Sequence, residues 1–239
     1  MPSVTRPFAA ALLMGLILST GAVAQPLPSA WATADIGAVG AAGSASGSDG
    51  AFTADGAGAD VWGVADALRF VYTPLTGDGS VVTQVTSIER VADWTKAGVM
   101  MRETLTAGSR QAFMLVSPGK GLAFQRRTVT AGVSTSTGGG AGAAPYFVRL
   151  TRAGSLFTAA RSLDGVTWTV VASDTIAMNA TIYAGVAVSS HVAGVLATTT
   201  FASTVVAATA PPVEPAGPAG SRKPRPTSCR SMRSAPRRR

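Results

Sequence analysis

The feature that most constrains the fold is a series of short strand-forming runs between Ala67 and Phe201, separated by turn residues. Ten runs occur at nearly regular spacing, at residues 68–72, 80–88, 98–103, 111–117, 121–127, 146–151, 156–161, 167–172, 182–189 and 195–201. No stretch shows the apolar period of a convincing amphipathic helix. Many strands joined by glycine-rich turns predict an all-β protein, either a sandwich or a barrel.

The sharpest turn signal is Asp164-Gly165, which lies between two predicted strands. Both residue types tolerate positive φ, so the pair predicts a two-residue type I′ hairpin turn. That turn fixes the strand register and predicts that Trp168 is largely buried. Residues 162–168 also look like a shortened sialidase Asp-box, a motif that braces a turn, and we interpret them as structural.

Several predicted strands are apolar on both faces. Met100 and Arg102 share one face of their strand, whereas Val99, Met101 and Glu103 share the other. Such strands fit a curved sheet with one face in the core and the other lining a shallow groove. In contrast, residues 35–60 show little periodicity, and the glycines at 138–140 lack the lysine and helix of a phosphate loop and are interpreted as a flexible loop.

The first 24 residues predict a secretory signal peptide. Arg6 is followed by an apolar run at residues 8–18 and by a small-x-small cleavage pattern at residues 22–24. The apolar run is too short for a membrane span, because a helix of this length rises about 16 Å against a hydrocarbon core of about 30 Å. We therefore expect a secreted or periplasmic mature protein that starts at Gln25 and has no membrane span.

The formal net charge of +8 is unevenly distributed along the chain. Residues 25–210, predicted to be one domain, hold 11 basic and 11 acidic side chains, whereas residues 211–239 carry +7. A nucleic-acid-binding domain carries its basic patch on the fold itself, so no nucleic-acid partner is predicted. The Pro- and Arg-rich tail, 211–239, is predicted to be disordered. Two alternatives to plain disorder stay open for this tail. It could bind anionic envelope polymers, or it could be a frame-shifted terminus.

Six motifs in a specific order carry a resemblance to a known family. They lie at residues 56–66 (GAGADVWGVAD), 70–72 (FVY), 75–79 (LTGDG), 94–103 (WTKAGVMMRE), 162–168 (SLDGVTW) and 184–191 (AGVAVSSH). Together they resemble a bacterial family of concanavalin A-like lectin/glucanase domains of unknown function, whose members are sometimes labelled regulation-of-enolase proteins. The resemblance covers residues 31–206 and implies a concanavalin A-like jelly-roll β-sandwich, but no activity. Leu68 and Phe147 depart from the aromatic residue and the tryptophan expected at these positions.

Catalytic residues are not predicted. Glycosidases on related jelly rolls use two carboxylates about 5–9.5 Å apart, often on one strand as Glu-x-Asp-x-x-Glu. Residues 25–210 contain no such run and only two glutamates, Glu89 and Glu103. We interpret Glu103 as the partner of a basic neighbour at the sandwich edge, and the single histidine, His191, as a surface turn residue. An enzyme is therefore less expected than a non-catalytic protein.

Aromatic and basic residues within the strand region supply the candidate ligand contacts. Sugar binding needs an exposed aromatic surface flanked by polar groups. An unpaired buried arginine is costly, so each arginine must face solvent, a groove or an acidic partner. The candidates are Trp94, Arg102, Arg127, Tyr146 and Arg149. Core packing of Trp94 and ion pairing of the arginines are the alternatives.

Four aspartates in the glycine-rich early segment, Asp55, Asp60, Asp66 and Asp78, are candidate ligands for a structural Ca²⁺ ion. Calcium prefers carboxylate and carbonyl oxygens. The alternative is turn and cap chemistry, for which aspartate is also favoured. No other cofactor is predicted.

The leading functional interpretation is a secreted, non-catalytic module that binds carbohydrate or acts in adhesion. A glycan or cell-envelope polysaccharide is the expected partner. Two alternatives stay open: a polysaccharide-active glycoside hydrolase, and a purely structural or protein-binding sandwich.

Overall fold

The computed structural model describes residues 25–209, which fold into sixteen β-strands. The described residues contain no helix long and apolar enough to cross a membrane. The predicted signal peptide, 1–24, and the predicted tail, 211–239, lie outside the described residues. The strands are β1 (Ala32–Ile36), β2 (Ser44–Ser48), β3 (Ala51–Gly58), β4 (Val61–Trp62), β5 (Ala65–Asp66), β6 (Leu68–Thr76), β7 (Gly79–Ile88), β8 (Lys96–Arg102), β9 (Gln111–Ser117), β10 (Gly121–Arg127), β11 (Thr135–Gly140), β12 (Tyr146–Ala153), β13 (Leu156–Ser162), β14 (Thr169–Thr175), β15 (Thr181–Ser189) and β16 (Val192–Ala208).

Two antiparallel sheets of seven strands each form a sandwich. Sheet A has the strand order β1-β6-β15-β8-β9-β10-β11, and sheet B has the order β14-β13-β12-β7-β16-β3-β2. Strands β4 and β5 form a separate short hairpin. The predicted all-β fold class and the predicted β-sandwich architecture are therefore confirmed.

The main core lies between the two sheets. Alternate residues of β8 in sheet A, Val99 and Met101, pack in one cluster with Val148 and Leu150 of β12 in sheet B. All four side chains are fully buried. Burying one such side chain contributes about 1.5–3 kcal/mol, so this layer dominates the cohesion of the sandwich.

Sheet A also buries much of its outer face, the face turned away from sheet B. Met100 and Phe113 on this face form a second apolar cluster with Val61 of the β4–β5 hairpin and Ile36 at the end of β1. This cover explains why the central strands are apolar on both faces. The groove expected on this face is consequently reduced to a cleft at the edge of the cover.

All ten predicted strands are present, but the sequence missed β1 to β5 and β11. The glycines at 138–140, interpreted as a flexible loop, instead belong to β11, an edge strand paired with β10. Strand β2 also contains a glycine, Gly47. A Cβ atom on Gly47 would lie only 2.1 Å from the carbonyl oxygen of Ala51. Glycines in these strands permit a close backbone approach, which a strand-propensity pattern does not show.

The predicted two-residue turn at Asp164-Gly165 is wrong. Strand β13 ends at Ser162 and β14 begins at Thr169, so residues 163–168 form a longer loop. Asp164 Oδ1 accepts hydrogen bonds from the backbone N–H of Thr167 at 2.7 Å and from the Ser162 hydroxyl at 2.8 Å. The interpretation of this motif as a structural brace is confirmed.

The longer loop changes the position of Trp168. Its indole Nε1 donates to the carbonyl oxygen of Gly165 at 3.1 Å. The ring packs against the Arg149 guanidinium, whose Cζ lies 4.2 Å from the ring centroid. Trp168 is therefore half-buried on the outer face of sheet B rather than in the core as predicted.

Candidate functional site

A cleft of about 290 Å³ lies at the edge of the cover on sheet A. Its volume is near the lower end of the range for small-molecule sites, about 300–1,000 Å³. Strands β4, β8, β10 and β11 contribute to the lining, together with loops that precede β4 and β8 and follow β15. The lining residues are Asp60, Trp62, Trp94, Lys96, Gln125, Ser136 and His191.

Two tryptophans form the aromatic part of the cleft. Trp62 in the β4–β5 hairpin is 42% exposed, and Trp94 in the loop before β8 is half-buried. The Lys96 ammonium lies 6.0 Å from the ring centroid of Trp62 and 5.6 Å from that of Trp94. Cation–π attraction at these distances helps to hold both indoles around the cleft floor. The structure thus places the predicted ligand residue Trp94 in a cleft.

Lys96 is a fixed charge in the floor of this cleft. Its side chain is only 2% exposed, and Nζ donates to Asp60 Oδ1, to Gln125 Oε1 at 3.0 Å and to the Val61 carbonyl oxygen at 3.4 Å. These three acceptors use all three N–H groups of the ammonium. Burial lowers the pKa of Lys96, whereas the adjacent Asp60 carboxylate opposes that shift.

The contacts of Lys96 determine which polar atoms remain for a ligand. An ammonium group only donates, so Gln125 must turn Oε1 toward Lys96, which leaves its Nε2 donor group free. Within residues 25–209 no group accepts a hydrogen bond from this Nε2. Asp60 Oδ1 accepts from Lys96 and from the Val61 N–H at 2.7 Å, which leaves Oδ2 as an acceptor.

His191 lies in the turn between β15 and β16 with a φ of 67°. Its Nδ1 is 2.8 Å from the carbonyl oxygen of Ala59 and 3.7 Å from Asp60 Oδ2. A carbonyl oxygen only accepts, so the contact with Ala59 assigns the proton of a neutral ring to Nδ1 and the lone pair to Nε2. His191 is in a turn, as interpreted from the sequence, but its place in the cleft was missed.

The predicted ligand residues Arg102 and Arg127 lie elsewhere, beneath the cover. Arg127 forms a bidentate ion pair with Asp66, and NH2 of Arg102 lies 3.5 Å from Asp66 Oδ2. All three side chains are fully buried, so neither arginine lines an open face as expected. An acidic partner, the alternative left open by the sequence, accounts for both. Burial lowers the pKa of Arg102 to about 10. Burial also raises the pKa of Asp66, and the positive charges of Arg127 and Arg102 oppose that rise.

The other two predicted ligand residues are also outside the cleft. Tyr146 is mostly buried, and its hydroxyl accepts a hydrogen bond from Arg161 NH1 at 3.2 Å. Arg149 is on the outer face of sheet B against Trp168. Of the five candidates, the structure places only Trp94 in the cleft.

The four candidate calcium ligands are not brought together. Asp55 accepts hydrogen bonds from Ser44 and Thr198, and Asp78 accepts one from the Gly154 N–H at 2.6 Å. Asp60 lines the cleft, and Asp66 is buried with arginine. Across residues 25–209 no group of three or more His, Cys, Asp or Glu residues is placed to hold a metal ion. The fold does not bring these aspartates together as one set of ligands, and calcium binding stays a prediction.

Glu103 pairs with a basic neighbour, as interpreted from the sequence. Its carboxylate is 3.4 Å from Arg110 NH1 and accepts a hydrogen bond from the Asn179 N–H at 3.0 Å. This arrangement ties the end of β8 to the loop before β15.

No family model and no curated protein matches this sequence. Among solved structures, the chain is similar to a functionally unknown protein from Saccharomyces cerevisiae, with 19% identity over 70% of this chain and 93% of that chain, at a TM-score of 0.57. A mutant of the GH43 protein BlXynB from Bacillus licheniformis has 14% identity over 62% and 31% of the two chains, at a TM-score of 0.49. The carbohydrate-binding module CBM66 from Bacillus subtilis has 12% identity over 74% and 94%, at 0.43. At these identities the likeness to the yeast protein shows the fold alone.

Proposed function

We propose that the protein is a glycan-binding module whose cleft holds a neutral sugar residue. The observation that carries this proposal is the pairing of two partly exposed indoles, Trp62 and Trp94, with the unpartnered Gln125 Nε2 and with Asp60 Oδ2. A pyranose ring has an apolar face of C–H groups and a rim of hydroxyls. The indoles suit the face, and the amide donor and carboxylate acceptor suit the rim.

The charges of the cleft favour a neutral ligand. Lys96 already occupies the cation position between the indoles, so a cationic ligand would meet a like charge. An anionic ligand would meet the Asp60 carboxylate, which lines the same cleft. Since the two protein charges balance one another, a hydroxyl-rich neutral ligand pays the smallest electrostatic penalty.

Binding without cleavage is favoured over hydrolysis. The usual glycosidase mechanism needs two carboxyl groups across the scissile bond. Among the described residues that line the cleft, Asp60 is the one carboxylate. A purely structural sandwich, the other alternative, gives no reason for an exposed Trp62 beside an unpartnered amide donor.

Two further statements stay predictions. Export from the cytoplasm, which would bring the cleft into contact with envelope or environmental polysaccharides, rests on residues 1–24. Membership of the bacterial concanavalin A-like family rests on the motifs quoted above.

The test is an array of neutral glycans probed with the exported protein and three variants. Trp94→Ala and Gln125→Ala are expected to weaken binding about tenfold or more, because both remove contacts at the centre of the site. Leu156→Ala is the control, since it removes an exposed apolar side chain from the other sheet. No binding to any neutral glycan, or an equal loss in the control, would contradict the proposal. Release of reducing sugar that Asp60→Asn abolishes would favour the hydrolase instead.

A further inference from the structure

Arg149 differs from every other basic residue that the structure describes. Residues 25–209 contain 11 arginines and lysines. Ten of them form at least one ion pair or hydrogen bond with the protein. Within the same residues Arg149 forms neither, and its Nε is buried without a partner. An unpartnered donor on a half-buried guanidinium carries a free-energy cost, so it calls for an explanation.

The strands around Arg149 offer no carboxylate to neutralise it. Arg149 lies on β12, opposite Val82 of β7 and Ala160 of β13. Strands β7, β12 and β13 contain no aspartate or glutamate. Burial also lowers the pKa of Arg149, and no nearby carboxylate opposes that shift. The outer face of sheet B therefore carries an uncompensated positive charge at this point.

Trp168 supplies a rigid aromatic surface beside that charge. Its ring centroid is 4.2 Å from the Arg149 Cζ, and its indole N–H is held by the Gly165 carbonyl oxygen. The loop that carries it is braced by Asp164, whose Oδ1 accepts backbone N–H groups of Val166 and Thr167. The indole nevertheless remains half-exposed. The Arg149 guanidinium thus lies over the ring of a half-exposed indole that the loop holds in a fixed position.

We propose that Arg149 and Trp168 form a second ligand site, which takes a uronic acid residue of an acidic polysaccharide. The two Nη groups of the guanidinium match a carboxylate in a bidentate arrangement, and the exposed part of the indole packs against C–H groups of the sugar ring. Because Val148 and Leu150 point into the core between the sheets, Arg149 points away from it, on the side of the sandwich opposite the cleft. The site shares no residue with the cleft and does not rest on the proposed function.

The test compares uronic acid trisaccharides (galacturonate and glucuronate) with the matching neutral galactose and glucose trisaccharides. Binding to the full chain is measured by calorimetry at physiological ionic strength. Arg149→Gln is expected to weaken uronate binding about ten- to a hundredfold, the usual effect of losing a charge-assisted hydrogen bond. Arg90→Gln is the control, because it removes the same charge from an exposed pair with Asp93. It is expected to leave the affinity unchanged.

Three results would overturn the proposal: no uronate binding by the unaltered protein, an unchanged affinity of Arg149→Gln, or an equal loss in Arg90→Gln. A second measurement uses the unaltered protein and avoids any effect of substitution on folding. Phenylglyoxal labelling followed by peptide mass mapping should modify Arg149, and the uronates but not the neutral sugars should protect it. Labelling of Arg149 that the uronates leave unchanged also overturns the proposal.

Discussion

Arg127 and Asp66 form a doubly bonded, fully buried ion pair, with NH2 2.7 Å from Oδ1 and NH1 2.8 Å from Oδ2. Arg127 ends β10, whereas Asp66 belongs to the β4–β5 hairpin, so the pair fastens this hairpin to sheet A. Arg127 also donates to the carbonyl oxygens of Trp62 at 3.4 Å and Gly63 at 3.2 Å. One aromatic wall of the cleft is therefore held in place by a buried ion pair outside it.

Removing the arginine of this pair should destabilise the protein strongly. Arg127→Met leaves the Asp66 carboxylate with only its longer contact to Arg102 and leaves several carbonyl groups without their donor. This is expected to lower the free energy of unfolding by about 3–5 kcal/mol. Arg90→Met, which breaks an exposed pair, should cost less than about 1 kcal/mol. Denaturant titrations of both variants measure the difference. Similar small losses would show that the pair does not hold the hairpin.

Truncating Trp168 should cost much less than truncating a core aromatic residue. Trp168 is half-buried, so Trp168→Ala loses partial burial and one cation–π contact, about 1–2 kcal/mol in total. Phe157 is fully buried between the sheets, and Phe157→Ala should cost about 3–5 kcal/mol. Thermal or denaturant unfolding compares the two. Equal costs would mean that Trp168 is a core residue after all.

The loop at 163–168 should resist acid. The backbone N–H of Thr167, with that of Val166 and the Ser162 hydroxyl, holds the pKa of the Asp164 carboxyl well below its usual range. A carboxyl group with a lower pKa in the folded than in the unfolded state stabilises the fold above its unfolded pKa, and this contribution is lost as pH falls toward the folded pKa.

The indole N–H resonance of Trp168 reports on this loop. It should keep its native position down to about pH 4, the unfolded pKa of aspartate, and change only in more acidic solution. In Asp164→Asn, which keeps an acceptor oxygen but cannot titrate, the acid-dependent change should disappear. A transition of the unaltered protein well above pH 4 would contradict the role of Asp164.

Replacing Asp60 should lower the pKa of Lys96 further. Burial already lowers that pKa, and the Asp60 carboxylate is the main group that opposes the shift. Asp60→Asn removes this opposing charge, so Lys96 should release its proton at lower pH than in the unaltered protein. The chain has only three lysines, so carbon-labelled lysine resonances can be followed individually. An unchanged or raised pKa would contradict the ion pair.

The strands of the sandwich were predictable where large apolar and β-branched residues define them. The bounds of β9 and β10 coincide with the predicted runs at 111–117 and 121–127. Strands β2 and β11 were missed because their glycine, serine, alanine and threonine residues resemble a loop in composition. Their pairing depends on close backbone contact with a neighbouring strand, which becomes visible only in the folded chain.

The site was predictable only in part, for a related reason. Trp94 could be singled out because it lies in a polar loop entering a strand. Nothing local shows that the hairpin ending at Asp66 folds over the outer face of sheet A, so Arg127 was expected on an open groove. Likewise, His191 reaches the cleft because β15 pairs with β8, with Ser189 opposite Lys96. That juxtaposition depends on long-range pairing, not on local pattern.

The most direct test of neutral glycan binding in the cleft is a titration followed by indole N–H resonances. The chain has four tryptophans, and the ligand is the neutral oligosaccharide that gives the strongest array signal. Trp62 and Trp94 should shift together along one saturable curve. Trp31, which packs on Phe52 at 4.8 Å, and Trp168, on the other sheet, should not move. Saturable binding with unchanged Trp62 and Trp94 resonances would contradict a binding site in this cleft.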